Sequence, residues 1–382
     1  MTIFICVSAT EAETARLLRD GPRRDFVELA RATGGVLVYQ RPAASRRGVW
    51  RRLTGPHVRQ AWEAARRARP GDTVFADGEH IGLPLLGFLI LRARRGVRVV
   101  MLGHFVTRSW KMLPLAILTR FGPATTLIVH SMIQARKIRP VLGRRCTLRF
   151  LPYQVDTDFW NTEAAPPNGD CPTLLAVGAE HRDYATLIEA VRDLPVRVRI
   201  AAGSYWARNR AAIGSTPENV EFLTQPLPFC ELHAAYEAAT AVVVPLEDVP
   251  NQSGVTTILE AMSMGRPVIT SATAGQNECV SGPTIDGAEA VDIGSLSLRG
   301  PRLFDARAPV STTGCYVPPG DVAAMRAAIT RLLVAPEEWR EMGSAGRRSA
   351  CRYFTIERFV ESLRDIIADT VPAASEMPLG VR

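Results

Sequence analysis

The chain has 382 residues, enough for two domains of ordinary size. At 47% hydrophobic and 22% charged it has the make-up of a folded globular protein, which excludes a disordered or fibrous chain. The formal net charge of +8 is almost wholly arginine, since lysine occurs only at Lys111 and Lys137; it favours nucleotide diphosphates or anionic lipid as partners, and nucleic acid is not expected, because no helix-turn-helix, zinc or aromatic RNA-binding motif accompanies it.

Strands and helices alternate along the chain, the pattern of parallel α/β sheets. The first half predicts strands at TIFICV, GVLVY, TVFAD, RVVML, TLIVH and LRFLPY. A single helix is predicted over LRDGPRRDFVELARATG and another over HVRQAWEAARRARPG. The longest apolar run, IGLPLLGFLIL, falls well short of the ~20 residues that span a bilayer. The opening MTIFICVSA predicts a strand rather than a signal peptide. The seven cysteines show neither CxxC nor metal spacing, so no metal site is expected and a reducing, cytoplasmic setting fits.

A Pro/Asn/Gly/Asp stretch at 165–172 is the linker candidate. The alternation then restarts with TLLAVG, a helix over DYATLIEAVRDL, VRVRIAAG, VEFL, a helix over FCELHAAYEAA, and AVVVPL. The stretch 281–313 fits neither period and is expected to be an insertion. GCYVPPGDVAAMRAAITRLL, PEEWREMGSAGRRSACRYF and TIERFVESLRDIIADT complete the pattern. The expected division is 1–160, 161–350, a helix over 351–370 and a flexible tail at 371–382.

The most informative stretch is NQSGVTTILEAMSMGRPVITS, from Asn251 to Ser271. It predicts a loop, a short helix capped by Ser253 or Asn251, a left-handed stop at Gly265 and, after Pro267, a strand. The first amides of that helix, at Val255, Thr256 and Thr257, have no intrahelical acceptor and suit a phosphate or diphosphate.

QSGVTTILEAMSMGRPVITSATAGQNECV resembles the donor-sugar motif of retaining glycosyltransferases of the GT-B fold, family 4. In the resemblance Gln252 stands where the family has its first Glu, Glu260 is the second, Ala274-Gly275 take the Gly-Gly and Glu278 the last acid. PYQVDTDFW and GCYVPPGD extend the likeness to either side. The resemblance implies an α/β protein of two Rossmann-like domains with a deep cleft between them and a last helix crossing back to the first domain. It implies sugar transfer with retention from a nucleoside-diphosphate sugar to a metabolite, or to a lipid-linked or cell-wall glycan, with no cofactor and no essential metal.

Site roles follow from the same resemblance. Arg182 falls on the family's phosphate-binding Lys, while Ala179 replaces its Arg. Ser253, Gly254, Val255, Thr256 and Thr257 surround the diphosphate, Gln252 the sugar and Glu260 the ribose hydroxyls. His104 ends the strand RVVMLG, and ligands of open α/β sheets bind beyond strand carboxyl ends; it is assigned to catalysis with Gln252. His80 and Ser204 are placed on the acceptor side, with His130 and Ser131 as weaker candidates. A solvated face is the plain account of the basic, aromatic segment SRRGVWRRLTGPHVRQAW; peripheral contact with the inner face of a membrane is the alternative. Gln252 cannot carry the charge of a glutamate. A non-catalytic nucleotide-sugar-binding homologue is therefore kept as a rival, as is a nucleotide-sugar epimerase.

Overall fold

A computed structural model describes residues 1–41, 55–167, 171–202, 216–223, 225–276, 279–280 and 313–369. It contains two six-stranded sheets in which every strand pair is parallel. The first is built from β1 (Ile3–Cys6), β2 (Val36–Val38), β3 (Thr73–Ala76), β4 (Arg98–Gly103), β5 (Thr125–Val129) and β6 (Cys146–Phe150), ordered β2-β1-β3-β4-β5-β6. The second holds β7 (Thr173–Val177), β8 (Arg197–Ala201), β9 (Val220–Phe222), β10 (Ala241–Val244), β11 (Val268–Ser271) and β12 (Cys315–Val317), ordered β12-β11-β10-β7-β8-β9. The inner strands are continuous apolar runs because both of their faces are covered.

One predicted helix of the first half is two. α1 (Glu11–Asp20) and α2 (Asp25–Thr33) are separated by Gly21-Pro22. Proline cannot donate an amide inside a helix and forces its predecessor out of the α region, and Gly21 is extended. A side chain at Gly21 would collide with Phe229 of the second half, so the break lets the two halves approach. α3 (Pro56–Arg67) follows. The apolar run becomes α4 (Glu79–Leu91), buried on most sides, and α5 (Ser109–Phe121) and α6 (Met132–Ile138) complete this layer. The second half contributes α7 (Tyr184–Val191), α8 (Phe229–Glu237), α9 (Val255–Ser263), α10 (Val322–Val334) and α11 (Pro336–Tyr353).

The last described helix, α12 (Ile356–Asp369), returns to the first sheet. Its Phe359, Leu363 and Ile367 pack with Ile5, Leu29 and Phe75. The two connecting segments pair with each other, since Val155 donates to the Phe354 carbonyl at 2.7 Å. Arg23 fastens them: its Nη2 lies 2.7 Å from Asp156 Oδ1 and its Nη1 2.5 Å from Glu357. Among the described residues no helix is long and apolar enough to cross a membrane.

Candidate functional site

The carboxyl ends of the first sheet face the amino-terminal tip of α9 across the cleft. Two adjoining cavities occupy this gap. The larger, about 360 Å³, is lined by Ser8, Arg24, Asp25, Asp77, His104, Tyr153, Thr256 and Glu260 among others. The smaller, about 200 Å³, is lined by His104, Ser131, Tyr153, Glu180 and the run from Asn251 to Thr256. His104, His130, Tyr153 and Thr256 belong to both, so the first half and the helix tip share one wall.

The helix tip differs in one detail from expectation. Neither Ser253 nor Asn251 caps α9: the N-cap is Gly254, at φ +81°, with no side-chain cap. Asn251 Nδ2 is spent on Ser253 Oγ at 2.7 Å, and the Ser253 carbonyl accepts from Gln276 at 3.1 Å. Glycine is needed at 254 for its left-handed backbone and because a Cβ would lie 2.8 Å from Val244 Cγ1. The amide of Ile258 bonds the Gly254 carbonyl at 3.0 Å, so those of Val255, Thr256 and Thr257 precede the first intrahelical bond. Thr256 is exposed to the cleft; the Thr257 side chain is buried. Gly265, at φ +66°, ends the helix as the sequence predicts.

Arg182 lies behind this tip and does not line either of these two cavities. It is 4% exposed and packs under Gly178, where a Cβ would come within 2.4 Å of Nη2. Its donors reach the carbonyls of Val177 (3.0 Å) and Glu180 (2.8 Å) and Thr257 Oγ1 (3.3 Å). No carboxylate pairs with it among the described residues; Asp183 instead caps α7 through Thr186. Burial pulls its guanidinium below the usual arginine range. Its positive charge thus lies against Thr257 in the first turn of α9.

Glu260 sits one turn below Thr256 on the same face of α9, inside the larger cavity. It accepts from Tyr236 Oη at 2.8 Å. Burial raises its carboxyl to about 7, against the opposing pull of the Tyr236 hydrogen bond and the charges of Arg24 and Arg182.

His104 is held by a buried ion pair. Its amide donates to Glu79 at 2.9 Å and that of Phe105 at 3.2 Å, while Lys111 Nζ pairs with the same carboxylate. Glu79 stands in the first turn of α4, where the helix dipole favours a carboxylate. Burial pushes its carboxyl upward, but the hydrogen bond and charge of Lys111 win and leave it below the ordinary range. The ring is fixed too: Nε2 lies 2.9 Å from the Asp77 carbonyl, which only accepts, so Nε2 carries a proton and Nδ1 is the nitrogen left to interact. His130 stacks on it with ring centroids 5.5 Å apart. Burial drives His130 down to about 3, helped by His104, so it is neutral at physiological pH.

His80 does not reach either cavity. Its Nε2 is 2.6 Å from Ser8 Oγ, which donates to Asp77 Oδ1 at 2.7 Å, so Ser8 and Asp77 form the wall and His80 stands behind them. Burial lowers His80 to about 4 and raises Asp77 to about 6. Gln252 lines the smaller cavity. Ser204 and Glu278 lie outside the described residues, as does 281–312. Ser8, Arg24, Asp25, Asp77 and Tyr153 escape the sequence reading as site residues, although Asp77 directly follows a strand end as His104 does. Among the described residues no group of three or more His, Cys, Asp or Glu has the geometry of a metal site.

Residues 171–334 match the family model described as "Glycosyl transferases group 1". No curated protein sequence matches the chain. Solved structures do. Sucrose-phosphate synthase from Thermosynechococcus elongatus aligns over 97% of this chain and 99% of its own at 17% identity and TM-score 0.67. Anabaena HepE in complex with UDP-glucose aligns over 97% and 100% at 14% identity and 0.64. A trehalose-6-phosphate synthase studied for glycosyl transfer with retention aligns over 97% and 100% at 13% identity and 0.66. The chain thus has the GT-B fold, and residues 171–334 of its second half are similar to glycosyl transferases group 1.

Proposed function

We propose that this chain is a retaining glycosyltransferase that takes a sugar from a nucleoside diphosphate and needs no essential metal. One observation carries the proposal: His104 and the free amide tip of α9 line the same cavities from opposite halves. Glycosyl transfer breaks the bond between C1 and a phosphate oxygen, whose electron pair stays with the departing diphosphate. Preorganised amides at Val255, Thr256 and Thr257 meet that developing charge, and Arg182 strengthens the tip from behind. Glu260, a turn deeper on the same face, suits the ribose hydroxyls. Gln252 and His104 Nδ1 suit the sugar. The acceptor oxygen bonds C1 on the face the phosphate leaves, and its proton passes to the leaving phosphate oxygen. The acceptor occupies the wall of Ser8, Asp25 and Asp77, whose polar groups match hydroxyls.

A second assignment has its own support. Glu180, next to the Ala179 that replaces the resembled family's Arg, lines the smaller cavity, and Gln252 is uncharged. A nucleotide-sugar-binding protein without catalysis fits these two residues. A thermal-shift panel of nucleoside diphosphates and their sugars, followed by a transfer assay in chelator, tests both. Transferase activity predicts stabilisation by at least one compound and product formation that EDTA leaves intact. Stabilisation without turnover establishes the binding protein; no stabilisation by any compound contradicts both.

A further inference from the structure

From His80 to Val155 the sequence carries thirteen arginines and lysines and neither Asp nor Glu. This segment runs from α4 to β6. Its most exposed element is α5, which buries Lys111, Leu115 and Thr119 and turns Trp110, Leu113, Ile117 and Phe121 outward. Those four recur at helical spacing and form a stripe roughly 16 Å long at 1.5 Å per residue. Trp110 and Leu113 are each 68% exposed and Phe121 61%. Leu91, 80% exposed, ends α4. Arg144 and Arg145 are held at the end of α5, since the Gly143 amide donates to Thr119 Oγ1 at 2.9 Å. Neither arginine forms an ion pair among the described residues.

We infer that this face docks on an anionic lipid bilayer, with α5 lying in the plane of the headgroups. A ridge of large apolar side chains with a tryptophan at one end, rimmed by arginines and free of acids, is the pattern of an interfacial helix. Contiguous exposed apolar surface rimmed by polar residues marks a protein or membrane interaction site. Charge decides the occupant. Nucleic acid would neutralise the arginines but leave the stripe in water. A second copy of the same face would set arginine against arginine. Anionic lipid answers both features at once. Docking here would also set the cleft at the membrane, since α5 starts on the loop leaving His104 and its Lys111 anchors Glu79. The inference stands apart from the donor chemistry proposed above.

Co-sedimentation of the full chain with vesicles of phosphatidylglycerol and phosphatidylcholine tests it. Binding is expected to the mixed vesicles, at least about tenfold stronger than to phosphatidylcholine alone, and weakened by ~0.5 M salt. Trp110→Ser with Leu113→Ser and Phe121→Ser is expected to lose about tenfold or more while its melting temperature holds. Arg144→Gln with Arg145→Gln is expected to lose about fivefold per charge. No pelleting with the mixed vesicles, or equal pelleting of the apolar triple variant, overturns the inference. So does the finding that the triple substitution abolishes a dimer or RNA retention while vesicle binding is absent.

Discussion

Glu260 is the residue whose stability and proposed use pull in opposite directions. Its folded carboxyl sits near 7, above its ordinary value of 4.5, because it is buried. The folded state therefore holds a proton the unfolded state releases, and stability falls as pH rises from 4.5 to about 7. Glu260→Gln removes that loss: at pH ~8 the unliganded variant is expected to be more stable by about 2 kcal/mol, with little change at pH ~5. The same variant is expected to lose stabilisation by nucleoside diphosphates. Denaturant unfolding at the two pH values, with and without ligand, checks this; a uniform loss of stability would show that Glu260 is only a structural partner of Tyr236. Glu79 behaves oppositely. Lys111→Met strands its carboxylate in a buried position, with an expected cost of about 3–4 kcal/mol. Turnover is expected to fall further than the folded fraction does, because the His104 loop loses its anchor; the comparison needs only kinetics and unfolding on the same preparation.

At the scale of the element, α9 depends on the two glycines that bracket it. Gly254→Ala would place a Cβ 2.8 Å from Val244 Cγ1 at a φ of +81°. The expected result is a loss of about 2 kcal/mol in stability and a weaker response to nucleoside diphosphates, read by thermal shift. Much of this element was legible in the sequence. Val, Ile and Thr are poor helix formers, so VTTILEAM announces a helix held by packing, and Gly265-Arg-Pro267 announces its end. The cap was not legible: Asn251 and Ser253 satisfy each other, an exchange only the folded loop reveals. The break between α1 and α2 was written in Gly21-Pro22, but the apolar spacing on both sides hid it. Arg182 and His80 show a different limit. Arg182 was assigned by the resemblance and His80 by its place beyond a strand, and both fold back onto local partners, Arg182 onto carbonyls and His80 onto Ser8. Asp77 and Asp25 were invisible because an acid after a strand or at a helix start already has an ordinary use. Only the shape of the cleft reveals a second one.

For the whole molecule, the alternation of strands and helices sufficed to give two parallel sheets, because each buried strand must be apolar on both faces. How the halves are joined was far less legible, since Arg23, Asp156 and Glu357 are remote in sequence. Asp156 is buried; desolvation pushes its carboxyl up, but the Arg23 hydrogen bonds hold it below the ordinary range. Its contribution is present above its unfolded pKa and lost as pH falls through the lower folded one. Asp156→Ala leaves Arg23 with the exposed Asp158 and Glu357 only, and a loss of about 2–3 kcal/mol is expected in chemical unfolding at neutral pH. The difference from the parent should shrink under strong acid.

In the proposed function a nucleoside-diphosphate sugar bridges the α9 tip and His104. A crystal structure of the chain with a nucleoside-diphosphate sugar tests it most directly. The diphosphate is expected within hydrogen-bonding distance of the Thr256 and Thr257 amides and the sugar beside Gln252 and His104. A nucleotide bound elsewhere, or a diphosphate turned away from that helix tip, would contradict it.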